Sequence, residues 1–181
     1  MIETKVDFAL ALARLRRRDA GSLAAFILSL AQDSGPVGEQ VRTFIVGDDV
    51  KATAGSIHAR IRDLRALSDY AHRRARGREI GVSLGYLLDS IETLVLPVDS
   101  RAAFQLLVKL FEADAVAMEN CEDHDFEVTS AYERASELIG RASKEMPQAE
   151  AVGALEALLE DDGYGVRGAL ADVIASRGED P

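Results

Sequence analysis

Val50-Lys51-Ala52-Thr53-Ala54-Gly55-Ser56-Ile57-His58-Ala59-Arg60-Ile61-Arg62-Asp63-Leu64-Arg65-Ala66-Leu67-Ser68-Asp69-Tyr70-Ala71 carries the clearest periodicity in the chain. Its apolar positions, Val50, Ala54, Ile57, Ile61, Leu64, Leu67 and Ala71, follow one another in steps of three and four. That step matches the 3.6-residue turn of an α-helix and places one apolar stripe along one side, whereas a half-buried strand would alternate by two. Asp48 and Asp49 stand where a cap is wanted, because a short carboxylate can accept from the unpaired N–H groups of a first turn.

The same spacing extends in both directions. Toward the amino terminus it predicts a helix over 3–17, a break at Asp19-Ala20-Gly21-Ser22 with Asp19 or Ser22 as cap, and a second stripe at Leu23, Phe26, Ile27 and Leu30. Ser34-Gly35-Pro36 ends that helix and starts another, with Pro36 suited to a first turn and Val37, Val41, Phe44 and Ile45 as its apolar face. Toward the carboxyl terminus, Ile80, Leu84, Leu87, Leu88, Ile91 and Leu94 form a stripe that Pro97 closes. Asp99 caps a helix through Ala103, Leu106, Leu107, Leu110 and Phe111 that runs toward Met118. Val128, Tyr132, Ala135, Leu138, Ile139 and Ala142 follow, then a helix opened by Pro147 with Val152, Leu155, Leu158 and Leu159, then a short one holding Val166, Leu170, Val173 and Ile174. Phe44-Ile45-Val46 is the only β-branched and aromatic run, and the helical period claims it. The expectation is an all-α fold of eight or nine antiparallel helices, as a bundle or a row of helical hairpins, in a single domain over residues 1–181 with a loose tail from about 176.

Composition agrees. The 181 residues are 48% hydrophobic and 29% charged but only 6% aromatic, so Leu, Ala, Val and Ile must fill the core. Cys121 is the lone cysteine, which excludes an internal disulfide and points to a reducing, cytoplasmic setting. No apolar run reaches the roughly 18 residues of a membrane span, and the first residues lack the basic and apolar pattern of a signal peptide. The net charge of −10 is unevenly spread. Residues 1–110 hold 16 basic against 13 acidic residues, a balance of +3, and residues 111–181 hold 5 against 18, a balance of −13. An acidic total disfavours wholesale nucleic-acid binding, where phosphate contacts dominate.

Three strings look chemical. Gly81-Val82-Ser83-Leu84-Gly85 matches the nucleophile turn of serine hydrolases, but that turn joins a strand to a helix, and here one apolar stripe reads straight through it. Gly77, Gly81 and Gly85 instead share a helix face on which a neighbour can approach closely. Gly163-Tyr164-Gly165-Val166-Arg167-Gly168 matches a dinucleotide fingerprint without the strand before it or the βαβ unit after it, and reads as a helix break with left-handed turns. Cys121-Glu122-Asp123-His124-Asp125 gathers several ligand types, so Cys121, Asp123, His124 and Asp125 are metal candidates. Neighbouring residues on a short turn diverge, however, and the alternative is that these carboxylates cap the helix opening near Val128. The calcium-loop pattern fails, with Val128 at the glycine position and Arg134 at the glutamate position.

One segment is basic. Arg60, Arg62, Arg65, Arg73, Arg74, Arg76 and Arg78 face only Asp63 and Asp69. Arg60, Arg65, Arg73, Arg74, Arg76 and Arg78 are the candidate interaction residues, for an acidic protein face or, less favoured, for phosphate. Asp89 and Asp114 lie close to apolar stripes, where each can pair with an arginine, and neither alone makes an acid–base dyad.

Leu106 to Ile139 resembles a helix, acidic turn, helix segment in a poorly characterised family of helical bacterial proteins, related in pattern to segments beside SWIM-type zinc fingers. The matching turn is Glu122-Asp123-His124-Asp125-Phe126-Glu127-Val128, against a family pattern of Asp-Asp-Ser-Asp-Gly-Glu-Val, and Leu87-Leu88-Asp89-Ser90-Ile91 is similar to the family's preceding segment. Phe126 replaces the turn glycine, His124 the serine, and the zinc-finger cysteines are missing. The resemblance implies an all-helical fold and carries over no catalytic residue.

The sequence therefore predicts a helical protein–protein interaction or adaptor domain with no cofactor and no membrane span. Its partner would be another protein or a further copy of itself. A nucleic-acid-associated regulator acting through Arg60–Arg78 and a metal protein or enzyme centred on Cys121–Glu127 are the alternatives.

Overall fold

The computed structural model describes residues 8–32, 36–45, 49–65, 73–119 and 121–178, with side chains for all of these except 8–11, 36, 39, 40, 65 and 73–76. Among the described residues there are ten α-helices and no strand: α1 Phe8–Leu15, α2 Ala20–Ala31, α3 Pro36–Ile45, α4 Val50–Arg65, α5 Arg73–Ser90, α6 Ser100–Phe111, α7 Asp114–Glu119, α8 Glu127–Ser143, α9 Gln148–Glu160 and α10 Leu170–Gly178. None of the described helices is long and apolar enough to cross a membrane. The chain divides into two compact units, Met1–Arg42 and Thr43–Pro181. No shift in composition marks that boundary, which falls inside α3.

The caps form where short polar side chains precede apolar stripes. Asp19, rather than Ser22, caps α2, its carboxylate accepting from the Ser22 N–H at 2.8 Å and the Ser22 hydroxyl at 2.7 Å. Asp49 accepts from the N–H groups of Lys51 and Ala52, and Asp99 from that of Ala102. Pro36 is the first residue of α3, and Pro147 occupies the cap of α9, one position before its first helical residue. At either place the missing N–H removes no helical hydrogen bond.

In the second unit the predicted stripes become the core. Ile57, Ile61 and Leu64 of α4 are buried, with Val50 and Ala54 partly so; Leu67 and Ala71 lie outside the described residues. α8 packs against α5, α6 and α10, α4 against α6, and α9 against α6 and α10. At the centre the rings of Phe111 and Tyr132 meet with centroids 5.5 Å apart, and the Tyr132 hydroxyl donates to the Leu110 carbonyl.

The helix count exceeds the expected eight or nine because the predicted helix from Asp99 to Met118 is broken at Glu112 and Ala113. The break is held by a residue far along the chain. Arg167 is buried, and its guanidinium donates through Nε and Nη2 to the Asp114 carboxylate at 2.6 and 2.7 Å. Nη2 also reaches the Phe111 carbonyl and Nη1 the Leu158 carbonyl. One side chain thus satisfies carbonyls near the ends of α6 and α9 and neutralises the first residue of α7. It is delivered by the Gly163–Gly168 turn, in which Gly165 takes the left-handed φ of 71°.

A second departure lies after α5, where Ile91–Val95 widens into a π-helical turn closed by the Leu96 N–H on the Ile91 carbonyl at 2.8 Å. Pro97 follows, and in an unbroken α-helix its ring would strike the Thr93 carbonyl. At the carboxyl end the tail expected to loosen at about 176 stays helical through Gly178, with the Arg177 guanidinium donating to the Met146 carbonyl.

Two glycines of α5 are required by packing. A Cβ at Gly77 would lie 2.8 Å from the Glu122 carbonyl oxygen, and one at Gly81 would lie 2.6 Å from the Glu127 Cβ. Gly85, which the sequence places on the same face, serves no such approach: nothing lies within 4 Å of its Cβ position.

Gly81→Ala should therefore destabilise by about 1–3 kcal/mol through overpacking, whereas Gly85→Ala should stabilise by about 0.5–1 kcal/mol through helix propensity, both read by urea denaturation. Arg167→Ala should cost about 3–5 kcal/mol, since it leaves Asp114 charged and buried. A double replacement of Arg167 and Asp114 by apolar residues of similar volume should recover much of that loss in the same assay.

Candidate functional site

The acidic turn between α7 and α8 is a helix start built on one carboxylate. Asp123 accepts from the Val128 N–H at 3.0 Å, the Thr129 N–H at 2.8 Å and the Thr129 hydroxyl at 2.7 Å. Burial pushes its pKa up, but these hydrogen bonds outweigh burial and hold it below the ordinary aspartate value. Phe126, just before α8, has a φ of 56°, in the left-handed region that favours glycine, and leaves its ring exposed. Phe126 is the one described non-glycine residue with positive φ.

The four metal candidates do not converge. Asp123 is committed to the cap, and His124 is exposed with its Nε2 at 2.9 Å from Glu122 Oε2. Asp125 is exposed. Cys121 is half-buried, and burial together with the nearby Asp123 charge raises its thiol pKa, so the thiolate that would bind a metal or attack a substrate is disfavoured. Among the described residues no group of three His, Cys, Asp or Glu side chains is placed to hold a metal ion. Ser83 lies inside α5 with no strand before it among the described residues, so the hydrolase string is helix.

Of the six candidate basic side chains, the described residues place those of Arg60 and Arg78. Arg60 is partly buried, with both terminal nitrogens shielded from solvent. The side chains of Arg65, Arg73, Arg74 and Arg76 lie outside the described residues. Arg78 is exposed and approaches Glu127 at 3.8 Å. The two stripe-edge aspartates do find arginines: Asp114 pairs with Arg167, and Asp89 with Arg134 at 2.7 Å. Arg134 and Arg141 both bind Glu92 as well, and their hydrogen bonds hold that carboxyl below its usual range.

Two features carry more. The first is α2, AGSLAAFILSLA, which has no charged residue and buries none of its twelve. Phe26 is 60% exposed and Leu28 56%, and the exposed Arg14, Arg16, Arg17 and Arg18 precede the helix. The second is an apolar groove of about 560 Å³ in the second unit. α6 lines it with Ala102, Gln105, Leu106 and Lys109, α4 with Ala54, Gly55 and His58, and α9 with Glu150 and Ala154. The residues forming it are spread along the sequence from Ala54 to Ala154, so no local pattern announces it. α2 is legible in the sequence only as an apolar stripe, and Ala24, Ala25, Leu28 and Ala31 add apolar positions outside it beside the polar Ser22 and Ser29.

Comparison with protein-family models, with curated proteins and with solved structures finds no match.

The cap makes stability pH-dependent. Asp123 has a lower pKa folded than unfolded, so its contribution is complete above the ordinary aspartate range and fades as pH falls through the folded value. Asp123→Ala should cost about 1 kcal/mol at neutral pH and flatten the loss of stability on acidification, measured by urea melts across the acid range.

Proposed function

We propose that this chain is a helical protein–protein interaction domain without catalytic chemistry of its own. The observation that supports this reading is α2: a helix with no charged side chain and with Phe26 and Leu28 exposed calls for a covering surface, and none of its residues is buried. Leaving Phe26 and Leu28 partly in water forgoes roughly 1–2 kcal/mol per side chain, which a partner covering them would recover. Because the helix carries no charge, no ion has to be stripped of water when it is covered. The flanking Arg14, Arg16, Arg17 and Arg18 add orientation and favour an acidic face on the partner. A single half-buried thiol suits a reducing, cytoplasmic setting.

The reading is tested with the intact chain as bait, wild type beside a Phe26→Ser/Leu28→Ser variant. The expected result is a stoichiometric protein, another copy of the chain included, that crosslinks to the wild type and is lost from the variant, while the two melt alike by circular dichroism. Identical crosslinked products from both baits, or none from either, would refute it.

A further inference from the structure

The groove on the second unit has the form of a place for one more helix. Ala102, Gln105, Leu106 and Lys109 of its α6 lining, which also includes Phe104 and Val108, follow helical spacing, and α4 and α9 each pack on α6 and contribute small side chains, Ala54, Gly55 and Ala154. A peptide adding as a strand would need a sheet edge to pair with, and the described residues contain no strand. A helix satisfies its own backbone and needs only an apolar surface, which this groove supplies.

Charge narrows the choice of helix. α9 carries Glu150, Glu156 and Glu160 with no lysine or arginine, and Asp161 and Asp162 follow it. Glu150, the α9 carboxylate at the groove, already accepts from Arg101, so an incoming guanidinium would meet the exposed Glu156 and Glu160. The lysine at the groove, Lys109, is held by Glu112 at 2.8 Å. A matching occupant is therefore apolar along its length, free of charge where it enters, and basic at a flank. The chain contains such an element in α2: twelve uncharged residues, about 18 Å long at the usual rise, with four arginines between Arg14 and Arg18 leading into it.

We propose that the α4–α6–α9 groove of one copy receives α2 of a second copy, with the arginines that precede α2 facing the carboxylates of α9. The assembly is heterologous: helix and groove are different surfaces, so two copies either exchange helices reciprocally or add head to tail. This rests on the reading of α2 as an interaction helix and names its receptor.

Two variants separate the halves of the contact. Phe26→Glu charges the exposed face of α2, and Gly55→Glu projects a carboxylate into the groove from a position with nothing within 4 Å of its Cβ, so neither disturbs a packed core. Analytical ultracentrifugation of the full chain over micromolar to hundreds of micromolar concentrations should show self-association in the wild type, weakened at least about tenfold by either substitution. Mixing the two variants should restore a dimer, because the Phe26→Glu copy keeps its groove and the Gly55→Glu copy keeps its helix. A wild type that stays monomeric throughout, or a mixture no more associated than its components, overturns the proposal. Self-association abolished by Phe26→Glu but untouched by Gly55→Glu also overturns it, while leaving α2 as an interaction helix; indifference to Phe26→Glu overturns it too, and the reading of α2 then rests on the crosslinking comparison alone.

Discussion

A single buried guanidinium sets the geometry of the carboxyl-terminal half. Arg167 binds the Asp114 carboxylate and the carbonyls of Phe111 and Leu158, so α6, α7 and α9 end or begin against the same planar group. An arginine suits this place because its donors lie in a fixed fork, and each of the bonds it makes here replaces a water lost on burial. An ion pair out of water is costly unless its remaining donors are satisfied, and here the two carbonyls meet that requirement. The hydrogen bonds that Arg167 donates to Asp114 in turn raise the Arg167 pKa and keep the guanidinium charged.

The consequences reach the candidate surfaces. By ending α6 at Phe111 and holding α9 through Leu158, Arg167 fixes two of the three helices that line the groove. The third, α4, is placed by apolar packing of Ile57, Ile61 and Leu64. The close approach of Glu122 and Glu127 at Gly77 and Gly81 sets α5 against the turn and the start of α8, and Asp123 secures that start. The polar clusters that look like chemistry in the sequence are thereby occupied: Asp123 as a cap, Glu92 between Arg134 and Arg141, Asp114 under Arg167. Phe26 and Leu28 of α2 and the lining of the groove leave apolar surface exposed, which is why the functional reading turns on docking.

Local patterns were legible wherever local physics acts. The α4 stripe, the caps at Asp19, Asp49 and Asp99, and the openings at Pro36 and Pro147 depend on residues within one or two turns of each other, and the linear sequence shows them. That Asp89 and Asp114 could pair with arginines was also readable from their places beside apolar stripes, though the identity of Arg134 and Arg167 was not.

By itself, then, the sequence determined that this protein is built of helices, where most of them begin, and which faces are apolar, since spacing and capping are properties of contiguous residues. Tertiary structure alone decided that the helix after Asp99 breaks in two, that Gly81 is indispensable to packing and Gly85 is not, and that Ala54, Leu106 and Ala154 share one groove. Those outcomes depend on side chains dozens of residues apart meeting in space, and a one-dimensional period holds no record of which stripe finds which partner.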